Sequence, residues 1–293
     1  MQSKAAISLT VALSAFSAAA VTIEEELSVE KMPRMANFHL LLALLVLKSS
    51  NGICGGTLLD STTVLTAAHC LAGTVSVRAG SLRHDSGGVE AKVANRTSHP
   101  EYLLSEYDKT KPYANNDIGI IKLASPIKKS DKIDYASLPA DGSDAMVGST
   151  GTVAGWGVQE ADWTFAGDVA EENLAKVTLP VHAREVCDKL EPSVKGRDTV
   201  LCIGGNGKSA CRYDSGGGFF DDTTGQVVGV ASWGIVDKEW LMCNNAPMIY
   251  TRVGSYVSFI KQHLEGADAA ANPDPAPAPA QNTTTPDQGP RAK

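Results

Sequence analysis

The chain has 293 residues, 43% of them hydrophobic and 20% charged, with a formal net charge of −7. That apolar fraction excludes wholesale disorder, and the acidic balance argues against nucleic acid, which needs a basic face, and against a polybasic membrane-surface role. Only 6% of residues are aromatic, which gives no support to base stacking, and no Gly-rich phosphate loop of Walker or Rossmann type occurs.

Residues 1–20 predict a secretory leader. Lys4 supplies the positive start, Ala5 to Ala20 carries no charge, and Ala18 and Ala20 give the small-x-small cleavage pattern before Val21. Residues 21–37 read as a propeptide-like segment that includes Glu24, Glu25, Glu26 and Glu30. The apolar run from Phe38 to Leu47 is too short to span a bilayer, which takes about 20 residues, and is predicted as a buried strand.

From Ile53 to Arg252 the apolar residues come in short Val- and Ile-rich runs bounded by Gly, Asn, Asp and Ser. Examples are Thr74 to Arg78, Ile118 to Leu123, Gly151 to Ala154, Ala175 to Val181 and Val227 to Ser232. Such punctuation predicts an all-β barrel or sandwich. Val253, Val257, Ile260 and Leu264 recur at helical spacing before Gly266, which predicts one C-terminal helix. Residues 266–293 alternate Pro and Ala and lack core-forming residues, so they read as a disordered tail. Asn95 and Asn282 open Asn-x-Thr glycosylation sequons. The six cysteines fit up to three disulfides in a secreted protein, and their spacing does not choose the pairing. No Cys-x-x-Cys pair points to a structural zinc, so no metal is expected.

Three segments carry chemistry when taken together. Cys54-Gly55-Gly56-Thr57 is followed by Leu65-Thr66-Ala67-Ala68-His69-Cys70; Asn116-Asp117 opens the apolar run to Leu123; and Cys211-Arg212-Tyr213-Asp214-Ser215-Gly216-Gly217 lies near the end. A hydroxyl is a weak nucleophile that needs a base, an imidazole takes and returns a proton near neutral pH, and a carboxylate holds the other ring nitrogen.

In the order His, Asp, Ser these motifs resemble the chymotrypsin/trypsin-like serine protease family. The resemblance extends from Leu44 to Leu264 and includes Ala154-Gly155-Trp156-Gly157, Ser232-Trp233-Gly234 and Ile249 to Val253. The segments Arg78 to Leu82 and Gly142 to Gly157 look most like secreted fungal members. The resemblance implies two packed six-stranded antiparallel β-barrels with a C-terminal helix, in a peptidase domain over 38–265 that splits near 135–145. It implies a catalytic His69, Asp117 and Ser215, with the backbone N–H groups of Tyr213 and Ser215 as the oxyanion hole. Ser232, Trp233 and Gly234 would bind substrate backbone, and the family pairing would give Cys54–Cys70, Cys187–Cys202 and Cys211–Cys243. The implied protein is an extracellular monomer that acts on proteins or peptides, meets protease inhibitors, and needs no cofactor and no membrane once its leader is removed.

Departures from the family pattern shape the expectation further. Members are cut to expose an Ile-Val-Gly-Gly start whose amine pairs with the Asp before the nucleophile, here Asp214, yet this chain has no such sequence. Cleavage after Lys31 or Arg34 would give Met32 or Met35 as the new end. Tyr213 stands where the family has Gly, which restricts the backbone and crowds the leaving-group side. Ser209 occupies the base of the primary specificity pocket without the Asp that draws Arg or Lys, and Met248 replaces a small wall residue. The expected pocket is shallow, neutral and suited to small or medium apolar side chains. A non-catalytic homologue that binds proteins through the same cleft is the alternative.

Overall fold

The computed structural model describes residues 21–22, 44–49, 52–104, 114–159, 169–235, 243 and 245–264. Its strands are β1 (Val21–Thr22), β2 (Leu44–Ser49), β3 (Gly52–Leu58), β4 (Thr63–Thr66), β5 (Thr74–Ala79), β6 (Val89–Ser98), β7 (Leu103–Leu104) and β8 (Ala114–Asn115). They continue with β9 (Gly119–Leu123), β10 (Thr150–Gly155), β11 (Ala175–His182), β12 (Val200–Ile203), β13 (Gly218–Asp221), β14 (Val227–Gly234) and β15 (Met248–Arg252). Helix α1 is Arg184–Leu190 and helix α2 is Val257–Lys261.

The first barrel closes in the order β2-β3-β4-β9-β6-β5. In β5, Thr74, Ser76, Val77 and Ala79 are buried while Val75 faces solvent, so burial extends to both faces of the strand. Strand β9, held between β4 and β6, is buried throughout except at Lys122. The second barrel closes through β11-β10-β13-β14-β15-β12, because β12 pairs back onto β11 at Val181↔Ile203 and His182↔Cys202. Phe219 and Tyr250 fill its centre beside Val153, Leu179 and Leu201. Two closed six-stranded antiparallel barrels result, and closure leaves few strand edges open. The connection between β9 and β10 passes from one barrel to the other.

Phe220, Val227 and Val230 of the second barrel share a core cluster with Leu47, Leu65 and Ile121 of the first, so the barrels are joined by a common apolar layer. The chain then returns through a 3-10 turn at Val253–Tyr256 and α2, and Val253, Tyr256 and Ile260 enter the same cluster. The spacing of Val253, Val257 and Ile260 thus marks a real buried face, although its first turn is 3-10 rather than α. Disulfides join Cys54 to Cys70, Cys187 to Cys202 and Cys211 to Cys243. The described part of the run from Phe38 is a strand that starts at Leu44 and continues to Ser49, beyond the expected end at Leu47, because Ser49 pairs with Gly52. Residues 38–43 of that run, the leader over 1–20 and the tail over 266–293 lie outside the described residues, as does Asn282. Of the segment 21–37, Val21 and Thr22 are described; they pair with Lys176 and Ala175 on the outer side of β11. Asn95 is exposed on β6. Among the described residues no helix is long and apolar enough to cross a membrane.

Candidate active site

The candidate site is assembled from short segments of both barrels. The fully buried β4 runs into a 3-10 turn, Ala68–Cys70, whose last residue is stapled to β3 by the Cys54–Cys70 disulfide. This fixes His69 at the end of a rigid strand. Its backbone N–H donates to Asp117 Oδ1 at 3.0 Å, and its Nδ1 lies 2.7 Å from Asp117 Oδ2. An ionised carboxylate only accepts, so the Nδ1 position carries the proton and Nε2 is left as the acceptor.

Asp117 is turned inward by the residue before it. Asn116 has φ +49°, a left-handed conformation that Asn tolerates. Tyr256 OH donates to Asn116 Oδ1 at 2.8 Å, and Asn116 Nδ2 donates to the Glu101 carbonyl at 2.9 Å. Ser232 Oγ donates to Asp117 Oδ2 at 2.6 Å, and Thr251 Oγ1 donates to the Asp117 carbonyl at 2.8 Å. The Asp117 side chain is only 2% exposed, against 24% for His69. Burial works to raise its carboxyl, but the hydrogen bonds and charge from His69, with the bond from Ser232, outweigh that and hold it below the ordinary aspartate value.

Ser215 lies in a turn that nests against the first barrel. Gly55 N–H donates to the Ser215 carbonyl at 2.7 Å, and Gly216 N–H donates to the Ala231 carbonyl at 2.8 Å. The approach admits no side chain: a β-carbon on Gly216 would stand 2.2 Å from Thr66 Oγ1, and one on Gly55 would stand 2.8 Å from the backbone of Gly217. The turn therefore touches the strand that leads into His69. Val158 N–H donates to the Arg212 carbonyl at 3.1 Å, which fixes the peptide before Tyr213, and Tyr213 takes the glycine-like φ of +76°.

Asp214 is half-buried and closes this turn. Gly157 N–H donates to its Oδ1 at 2.8 Å and Cys211 N–H to its Oδ2 at 2.9 Å. Burial pushes its carboxyl up to about 6 despite both donors. The segment holding Lys31, Met32, Arg34 and Met35 lies outside the described residues.

The other sequence-predicted residues line the second barrel. Met248 opens β15, opposite Gly234 on one side and Ile203 on the other, and is 4% exposed. Trp233 is buried and pairs with Ile249. Ser209 Oγ and Tyr250 OH are both buried without a hydrogen-bond partner among the described residues, and burial pushes the Tyr250 hydroxyl up, so it stays neutral. Among the described residues, the one group with metal-ligand proximity is Cys54, His69 and Cys70, and its two sulfurs are already bonded to each other.

Ser232 has a role that its motif did not reveal. It sits at a register shift in β14 between Ala231 and Trp233, and that irregularity carries its hydroxyl to Asp117. Thr251 and Tyr256 also support the Asp117 segment, and no local spacing signals either contact.

Known proteins resemble this chain in sequence and fold. The family model described as Trypsin matches residues 36–260. The trypsin Blo t 3 of Blomia tropicalis is 33% identical over 227 residues, covering 73% of this chain and 78% of that protein. Mouse chymotrypsin-C is 33% identical over 225 residues, covering 72% and 78% respectively. Among solved structures, neuropsin, a serine protease expressed in the limbic system of mouse brain, superposes with a TM-score of 0.64 at 27% identity, over 76% of this chain and 95% of that one. On matched length, identity and barrel architecture, this chain belongs to the trypsin-like serine protease family.

Proposed function

We propose that this protein is a secreted serine endopeptidase in which Ser215, His69 and Asp117 form the catalytic triad. The observation that carries the reading is the buried Asp117 carboxylate holding His69 through Nδ1, which leaves Nε2 to act as base. Ser215 Oγ attacks the scissile carbonyl carbon as its proton passes to His69 Nε2. The tetrahedral oxyanion is received by the N–H groups of Tyr213 and Ser215. The C–N bond then breaks, His69 gives its proton to the departing amine, and water enters by the same route to release the acyl group. The chemistry requires neither metal nor organic cofactor.

The peptidase unit is taken as 38–265, divided near 135–145, behind a leader over 1–20 and a propeptide-like stretch over 21–37, with the tail 266–293 outside the core. Three disulfides suit an oxidising, extracellular setting, where exposed Asn95 is available for glycosylation. The expected partners are protein or peptide substrates and protease inhibitors, met by a monomer. A closer tie to secreted fungal enzymes rests on Arg78 to Leu82 and Gly142 to Gly157. For the residue before the scissile bond, buried Met248 and the uncharged Ser209 favour small or medium apolar side chains over Arg or Lys.

A second reading, a non-catalytic homologue that binds proteins through the cleft, draws on Tyr213 at the oxyanion turn and on Met248 filling the pocket. Fluorophosphonate labelling of the purified protein, before and after limited proteolysis, separates the two. The endopeptidase reading expects label on Ser215 that disappears in Ser215→Ala and His69→Ala. A folded protein that takes no label in either state moves the assignment to the binder. A peptide panel reads specificity, and a strong Arg or Lys preference would overturn the apolar assignment.

A further inference from the structure

We infer that Tyr213 is a specificity-determining residue that walls off the leaving-group side of the cleft and selects small residues just after the scissile bond. The inference rests on the endopeptidase reading and adds to it the class of substrate accepted on the far side of the cut.

Two constraints hold the residue in place. The Cys211–Asp214 turn is closed by Asp214 N–H donating to the Cys211 carbonyl at 3.0 Å and by Cys211 N–H donating to the Asp214 carboxylate at 2.9 Å. The Arg212 carbonyl accepts from Val158, so the peptide leading into Tyr213 has little freedom to rotate. With φ at +76°, the side chain leaves the turn in a direction that few non-glycine residues take, and only four described non-glycine residues have positive φ.

That direction leads across the cleft to the first barrel. The Tyr213 ring lies over Gly52, with Cε1 3.5 Å and Cδ1 4.0 Å from the place a β-carbon on Gly52 would occupy. Gly52 opens β3, two residues before Cys54, and Cys54 is bonded to Cys70 beside His69. The ring thus bridges from the nucleophile turn to the strand behind the His69 disulfide.

The chemistry identifies which side this is. On the endopeptidase reading the acyl half of a substrate faces Ser209, Met248 and the Ser232–Gly234 strand. The leaving amine departs toward the group that protonates it, which is His69, and hence toward Cys54, Cys70 and Gly52. A ring fixed there takes up space next to the first residues beyond the cut. Gly, Ala or Ser fits against the ring, whereas a branched or aromatic residue must displace it and break its contact with Gly52. An effect of Tyr213 on the oxyanion alone would slow all substrates equally, so dependence on the leaving residue separates the two roles.

The test uses the full-length protein with Tyr213→Ala, which removes the ring and keeps a β-carbon on the turn, and Tyr213→Phe, which keeps the ring. Internally quenched peptides share one acyl half and differ only after the scissile bond, with Gly, Ala, Leu or Phe in the two following positions. Wild type and Tyr213→Phe are expected to cleave the Gly and Ala peptides at least about tenfold better, by kcat/KM, than the Leu and Phe peptides. Tyr213→Ala should shrink that ratio about tenfold. An unchanged ratio in Tyr213→Ala would overturn the proposal while leaving the protease reading intact. If no peptide is cleaved by any version, the protease reading fails and binding decides the wall: Ser215→Ala protein should bind the Gly peptide more tightly than the Phe peptide. Equal affinities, or a preference that survives in Ser215→Ala combined with Tyr213→Ala, would overturn it.

Discussion

The carboxylate of Asp214 occupies the space that a side chain on Gly157 would need. Gly157 N–H donates to Asp214 Oδ1 at 2.8 Å, and a β-carbon on Gly157 would stand 2.0 Å from Oδ2. The Cys211–Asp214 turn of the second barrel and the loop after β10 are therefore locked together by a glycine, and the lock is as steric as it is polar.

Gly157→Ala is expected to push the carboxylate out of this space and loosen the Cys211–Asp214 turn. Overpacking of this kind costs about 1–3 kcal/mol, which a shifted urea midpoint at unchanged slope would report. Loss of an oxyanion donor lowers turnover by about 10²–10³, so rate should fall much further than the folded fraction. A variant with normal turnover would mean that the turn does not depend on this contact.

Asp214 also makes a signed prediction about pH. Its folded value of about 6 lies above the ordinary 3.8, so between these limits the folded state binds more protons than the unfolded state. Stability should fall as pH rises from about 4 to above 6, by about 3 kcal/mol from this group, since each pK unit is worth about 1.4 kcal/mol. In Asp214→Asn that fall disappears, and the difference between the two proteins across pH 4–8 in urea isolates it. If a chain-terminal amine pairs with Asp214 in the mature protein, the carboxyl is held low instead and the slope reverses.

Much of this was legible in the sequence, for particular physical reasons. His69, Asp117 and Ser215 each sit in a short motif with a small residue nearby, Ala67, Gly119 and Gly216 respectively, where the chain packs tightly. The strands were readable from short Val- and Ile-rich runs bounded by turn residues, as in β9. Helix α1 was not: Ala183 gives no side-chain cap, Cys187 is its one buried residue, and a disulfide to Cys202 holds it where no apolar stripe does. The hydroxyl of Ser232 was equally illegible, because its direction is set by a shift in pairing between β14 and β15, a tertiary fact that no local spacing records.

Ser232→Ala removes the 2.6 Å bond to Asp117 and leaves a buried carboxylate with one donor fewer. A hydrogen bond to a charged group contributes about 1.5–3 kcal/mol, and a loss of that order is expected in denaturation near neutral pH. Because the Asp117 carboxyl is held below its ordinary value, its contribution is present above about pH 4 and is lost as pH falls through the folded value. The gap between wild type and variant should therefore narrow in acid. Turnover should drop about tenfold as His69 loses part of its anchoring, and equal stability of both proteins at pH 7 would refute the assignment.

Met248 gives the test that joins core packing to specificity. It is 4% exposed, faces Gly234 across β14 and Ile203 across β12, and packs in one cluster with Ala210 and Tyr250. Met248→Ala removes side-chain volume from the barrel core and, on the proposed specificity reading, from the wall of the substrate pocket. As a core truncation it should cost about 2–5 kcal/mol, toward the lower end if neighbouring side chains or a substrate fill the gap. As a pocket enlargement it should raise kcat/KM for peptides with Phe or Tyr before the scissile bond by about tenfold relative to those with Ala. Both effects have one cause, so binding of a Phe-containing transition-state analogue should restore part of the lost stability, more in the variant than in wild type. If stability falls while the ratio of Phe to Ala cleavage stays fixed, Met248 belongs to the barrel core alone and the wall of the specificity pocket must be sought elsewhere.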